Sequence, residues 1–192
     1  MASAASAHPV TFDVQYPTSL SRWMWLIKGL LVLPHLLFLL VLEIVFFVRM
    51  VIAWFTVVFT GVYPRGLFDS NVAFLRYLAN VGAYSFMTDI YPAFGTTPKP
   101  ESPVSFDVAY PPDGKVDRLF TLLTFLRFLV MIPQILVLLV RSIVAAVMTW
   151  IGLLALLFTG TFPRGMFDFI VETQRLGWKV NVNLWFMTDV RP

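Results

Sequence analysis

The stretch RWMWLIKGLLVLPHLLFLLVLEIVFFVRMVIAWFTVVFT, residues 22–60, decides what kind of protein this is. After Arg22 its only charged residues are Lys28, Glu43 and Arg49. A helix over the whole tract would reach about 58 Å at ~1.5 Å per residue, against a bilayer hydrocarbon core of roughly 30 Å. One straight crossing does not fit. A second tract of the same character, RLFTLLTFLRFLVMIPQILVLLVRSIVAAVMTWIGLLALLFT, occupies residues 118–159.

The composition agrees with these tracts. Of 192 residues, 58% are apolar and 13% charged, and the mean hydropathy is +0.78. A soluble domain carries about twice that share of charge, so there is too little polar surface to cover a water-soluble globule, and a bilayer is the solvent that fits. The aromatic residues are 19 Phe with 6 Trp and 6 Tyr, which suits lipid-facing and helix-packing surface with a few interfacial anchors. The absence of Cys excludes disulfides, thiolate metal sites and a cysteine nucleophile. The net charge of +3 is scattered around the apolar tracts, which favours anionic lipid over nucleic acid as a partner. The N-terminal MASAASAHPVTFDVQYP has no basic segment leading into an apolar run, so it does not read as a cleavable signal.

The chain is a tandem repeat. FDVQYP at 12–17 returns as FDVAYP at 106–111, TGVYPRGLFD at 60–69 as TGTFPRGMFD at 159–168, and FMTDIYP at 86–92 as FMTDVRP at 186–192. Lys28 matches Arg127, Pro34 matches Pro133 and Arg76 matches Arg175. The expected organisation is a flexible tail over 1–9, repeat 1 over 10–94, a turn-rich linker over 95–103 and repeat 2 over 104–192. Each repeat opens with an alternating segment that reads either as a strand, pairing between the copies, or as irregular chain at the membrane surface.

The charges within the tracts predict where they fold back. Glu43 and Arg49 in the first tract, and Arg141 in the second, read as hairpin-tip polar groups. The expected fold class is therefore an all-α integral membrane protein with two transmembrane helical hairpins, each followed by a short interfacial helix such as the one from Phe68 onward. The competing reading breaks each tract at Pro34 and Pro133, leaving one tilted span per copy and making the three ionisable groups intramembrane. Two crossings per copy would give the repeats the same orientation; one would invert them. In the hairpin reading twelve of the 14 Lys and Arg lie on the side of the termini, which puts the termini in the cytoplasm of a multi-pass inner-membrane protein. Lys28 and Arg127 are expected to snorkel to that same side. At the end of repeat 2, VNVNLW at 180–185 alternates like a strand.

The repeated PRGLFD and PRGMFD blocks are the sharpest candidate sites. Pro fixes a turn, and Arg65 and Arg164 each precede an Asp by four residues, Asp69 and Asp168, a spacing for ion pairs that leaves guanidinium donors for a lipid phosphate. The aspartates of the FMTD blocks, Asp89 and Asp189, are expected to cap nearby backbone donors. His35 has Gln134 as its counterpart, and His8 is distant from it. No HExxH, Walker, Rossmann or nucleophile-elbow pattern occurs. Catalytic, metal and cofactor sites are expected to be none.

The blocks FTGVYPRGLF at 59–68 and RYLANVGAYSFMTDIYPAF at 76–94, with their second-copy matches, resemble a bacterial membrane family common in actinobacteria and classed only as a domain of unknown function. The resemblance spans both copies and implies membrane residence with no activity to carry over. From the side-chain inventory the expected function is a non-catalytic accessory or scaffold subunit of a larger membrane complex. The partners would be anionic lipid and another integral membrane protein, not nucleic acid. A small transporter or channel, or a lipid-binding envelope protein, is the alternative.

Overall fold

The computed structural model describes residues 8–17, 19–97 and 102–192. Residues 1–7 of the expected tail and 98–101 of the expected linker lie outside the described residues. Two roughly duplicated helical hairpins form the molecule, each preceded by a short strand. Strand β1 (Val10–Val14) leads to helices α1 (Met24–Thr60) and α2 (Arg65–Phe86); strand β2 (Val104–Val108) leads through a 3-10 turn (Pro112–Gly114) to α3 (Arg118–Leu122), α4 (Thr124–Thr159) and α5 (Arg164–Leu184).

The fold-back expected at Glu43 to Arg49 is absent, as is the one at Arg141. Helix α1 runs 37 residues and α4 36 residues without a break, through those charges and through Pro34 and Pro133. The region around Glu43 has neither Gly nor Pro, and its Leu, Ile, Val and Phe offer the backbone no competing hydrogen-bond partner. Propagation of the helix is therefore the only way to satisfy its amides. Each proline removes one internal bond, which a helix of about ten turns survives. The chain reverses where a left-handed residue is free of steric cost: Gly61 at φ 74° and Gly160 at φ 80° end the long helices, each N–H closing on the carbonyl four residues back, Val57 and Leu156. The following prolines, Pro64 and Pro163, then start the return arms.

Those return arms correct a second expectation. The short interfacial helix is a 22-residue arm, α2, packed back along α1, and α5 packs along α4 in the same way. The strand-like VNVNLW continues α5 to Leu184, because Asn183 turns inward and its amide donates to the carbonyls of Thr188 and Val190. Inward positions on α1 recur at Lys28, Val32, His35, Leu39, Phe46, Met50, Ala53 and Val57. This interval of three, four and seven residues is the one at which a helix meets an antiparallel neighbour.

The two opening segments form an antiparallel ribbon in which Phe12 faces Phe106 and Val10 faces Val108. Its Val and Phe side chains are buried, while Thr11, Asp13, Gln15, Ser105 and Asp107 are exposed. The strands are exchanged between repeats: β1 of the first lies on α5 of the second, and β2 lies on α2. Further ties cross in the same sense. The Tyr16 hydroxyl donates to the carbonyl of Phe162, and that of Tyr110 to the carbonyl of Tyr63, each at 2.5 Å.

Gly114, at φ 69°, holds the second of these ties in place. A Cβ there would stand 2.2 Å from the Tyr110 hydroxyl oxygen and 3.0 Å from Val62. Gly114→Ala is expected to destabilise the protein by about 1–3 kcal/mol through backbone strain and displacement of Tyr110. Gly29→Ala, in open space on a helix, is expected to be neutral or to stabilise by up to about 1 kcal/mol. Thermal melting of the two variants in detergent checks the contrast.

Candidate functional site

Lys28 and Arg127 do not snorkel. They are 4% and 0% exposed, and each is clasped by the FMTD block of its own repeat. The Lys28 ammonium lies 2.8 Å from Asp89 and donates to the Thr88 carbonyl at 2.8 Å. The Arg127 guanidinium lies 2.6 Å from Asp189 and donates to the carbonyls of Asn183 and Thr188 at 2.7 and 3.1 Å. The second oxygen of each carboxylate accepts a backbone N–H from the entry to the long helix, Ser21 at 2.6 Å and Asp117 at 2.8 Å. A cation in an apolar helix is costly without a partner. The block that ends the return arm supplies one, and this closes each hairpin at its open end.

The candidate residues of the proline turns lie at the surface. Arg65 Nε is 2.9 Å from Asp69 and its guanidinium stacks 4.6 Å from the Tyr110 ring. Arg164 Nε is 3.8 Å from Asp168, with its guanidinium 5.3 Å from the Tyr16 ring. These aromatic partners come from the opposite repeat, which sequence spacing does not reveal. Arg76 and Arg175 are the residues the sequence reading aligned but gave no role. Arg76 donates to the Phe106 carbonyl and pairs with Asp107; Arg175 donates to the Phe12 carbonyl and pairs with Asp13, all within 3.0 Å.

The polar groups of the long tracts are dispersed. Glu43 is exposed and Arg49 half-buried on α1, whereas Arg141 is held by α5, 3.4 Å from Glu172 and 4.7 Å from the Phe169 ring. His35 is fully buried, its Nδ1 2.6 Å from the Tyr77 hydroxyl and its ring stacked on Phe94. His8 accepts the N–H of Val10 and takes no part there. Asn71 donates to the Tyr63 hydroxyl at 2.9 Å. Burial pushes the phenols of Tyr63 and Tyr77 up to about 12, so both stay neutral hydrogen-bonding groups at physiological pH. Among the described residues no three His, Cys, Asp or Glu gather into a metal-binding group.

One large cleft breaks the symmetry. A groove of about 480 Å³ runs between α2, α4 and α5 under Phe12 of the ribbon. Its origin is a set of exchanges between positions 99 residues apart. Where the first repeat stacks Phe46 on Phe74 at 4.7 Å, the second has Ala145 and Thr173; Met50 becomes Thr149, and Leu78 becomes Gly177. All four small residues line the groove. Ala79 becomes Trp178, whose ring fills the space beneath Phe12 and Phe106 at 6.2 and 4.9 Å. The remaining wall is apolar, with Ser142, Gln174 and Asn181 as uncharged polar groups. Sequence reasoning missed this groove, although the large-to-small exchanges between aligned copies were its available signal.

The outer sides of the long helices are charge-free. Leu26, Leu30, Leu33, Leu37, Val41, Ile44, Val48, Val51, Phe55 and Phe59 on α1 are all exposed, and so are the residues 99 positions later, from Phe125 through Leu136 and Trp150 to Phe158. Fold and site together define a tandem-repeat helical protein whose two hairpins each pair a long apolar helix with a polar return arm. The chain belongs to the family described as a domain of unknown function, DUF4389, whose model matches residues 22–95 and 122–192. No curated protein and no solved structure matches it.

Because Asp189 is 38% exposed, solvent screens part of its interaction with Arg127. Even so, Asp189→Asn leaves a fully buried cation short of its counter-charge and is expected to cost about 3 kcal/mol. Arg127→Lys, which installs the cation used at Lys28, is expected to cost less than half as much. Denaturation of the two variants in the same detergent checks the order.

Proposed function

We propose that the protein is a membrane-resident lipid-binding protein that holds an acyl chain of a membrane lipid in the groove between its repeats. The observation that carries this reading is the groove's construction: its lining is uncharged, it lies within the range of roughly 300–1,000 Å³ typical of small-molecule sites, and small residues open it where the first repeat is filled. Trp150, 62% exposed, belongs both to the groove wall and to the outer stripe of α4. In a bilayer the groove is then entered from the lipid. A hydrocarbon chain suits the Ala, Leu and Trp surfaces, and the ester or hydroxyl groups of its polar end suit Ser142, Gln174 and Asn181. Arg65 and Arg164, with donors to spare, are the candidates for contact with anionic headgroups at the membrane surface. In this reading the chain supplies binding and no chemistry.

Membrane residence rests on α1 and α4, which are long and apolar enough for a bilayer and mostly unburied. The same unburied stripes favour a second reading, an accessory subunit whose outer face packs on another membrane protein.

Native mass spectrometry of the protein purified in mild detergent separates the two readings. A bound lipid is expected on the wild-type protein. The paired exchange Ala145→Phe and Thr149→Met, which installs the side chains of Phe46 and Met50, should abolish it while the melting temperature is retained. A lipid-free protein that also fails to bind a pyrene-labelled fatty acyl probe would reject the groove as a lipid site. A stoichiometric membrane-protein partner on a lipid-free chain would carry the accessory reading instead.

A further inference from the structure

We infer that this protein does not cross the bilayer: α1 and α4 lie in the membrane plane within a single leaflet, and the ribbon faces the water on that side. The inference rests on the reading that the charge-free stripes face lipid, and it fixes how they do so.

The symmetry of the fold decides the orientation. An antiparallel pair of equivalent strands is related by a twofold axis perpendicular to the ribbon, here passing between Phe12 and Phe106. The same operation relates α1 to α4. Their directions follow from their ends. Arg118, at the start of the second hairpin, donates to the carbonyl of Thr60 at the end of α1, and the N–H of Val116 donates to Gly61. At the opposite end, Arg22 just before α1 packs against Gly160, at the end of α4. Each long helix thus begins where the other finishes, and the two are antiparallel. A twofold rotation leaves vectors along its axis unchanged and reverses those perpendicular to it. The long helices are therefore broadly perpendicular to the axis that pierces the ribbon.

Two placements in a bilayer follow. If the axis lies in the membrane plane, α1 and α4 are inverted spans, and the ribbon, sitting on the axis, is at mid-depth. That position would put Asp13 and Asp107, each 66% exposed, and both free strand edges into hydrocarbon, where neither ionised groups nor open sheet edges are stable. If the axis lies along the membrane normal, the ribbon stands in water, α2 and α5 form the layer beneath it, and the long helices lie flat. A helix about 10–12 Å across fits within one leaflet, half of the roughly 30 Å core. The length of α1, about 55 Å by its rise, then meets no limit set by membrane thickness. The charges on α1 agree: Glu43 and Arg49 are each a residue off the outer stripe, toward the return arm, and no charge falls on the stripe itself.

Spin labels on single cysteines test the inference in a chain that has none of its own. Leu26, Val41 and Phe59 mark the start, middle and end of the outer stripe of α1, and Ser105 marks the ribbon. In vesicles of phosphatidylcholine and phosphatidylglycerol, accessibility to oxygen and to a water-soluble nickel chelate reports depth. The three stripe positions are expected to lie at one depth within a leaflet, with Ser105 in water. Depths running from interface to bilayer centre to interface along α1 would overturn the in-plane placement while leaving lipid contact intact. Nickel accessibility at all three stripe positions would instead overturn lipid contact itself, and the orientation with it. Single-label variants that keep the wild-type melting temperature exclude misfolding as the cause of either result.

Discussion

A cation planted in the first turns of a long apolar helix has to be met by a carboxylate, and the rest of this fold is arranged around meeting it twice. Lys28 and Arg127 are buried away from water, where backbone carbonyls alone do not balance their charge. Asp89 and Asp189 reach them only because each return arm runs the right way and ends at the right level. The glycine that reverses the chain, the proline that starts the arm and the length of the arm all serve that closure. The same two aspartates accept an N–H from the segment entering the long helix, so one side chain joins the start of a hairpin to its end. Breaking the contact therefore releases more than an ion pair.

The two closed hairpins are joined by exchange. Each repeat lends its strand to the other's return arm, and Arg76 and Arg175 fasten the loans by pairing with a carbonyl and a carboxylate on the borrowed strand. An isolated two-stranded ribbon is marginal in water. This one persists because its Phe and Val face buries against α2 and α5. Neither repeat completes its own core, which explains why the repeats occur together.

Exchange imposes a twofold axis, and the sequence then departs from it where two equal side chains would meet. One large ring lies beneath Phe12 and Phe106: Trp178 takes the place, and its counterpart in the first repeat is the small Ala79. The space released in the second repeat by Ala145, Thr149, Thr173 and Gly177 becomes the groove. Close packing makes every interior volume somebody's contact, so a void of this size where the first repeat stacks Phe46 on Phe74 marks the place where the two copies have diverged in what they touch.

The sequence by itself determined the duplication, the helical and apolar character of the long tracts, the turns at the PRGLFD and PRGMFD blocks, and the pairing potential of Arg65 with Asp69. These rest on local rules: repeat identity, hydrophobic composition, the fixed backbone of proline and side-chain spacing on a helix. Only the tertiary structure decided that the tracts run unbroken past Glu43 and Arg141. Charge alone does not stop a helix, and the sequence pattern does not state which neighbour a charge faces. It likewise decided that Lys28 and Arg127 turn inward, that the strands are exchanged, and that the groove opens on one side of the axis. Each of these depends on contacts between residues about 30 to 160 positions apart. Such contacts are selected by burial and charge in three dimensions, and a linear pattern can carry the residues that make them without naming their partners.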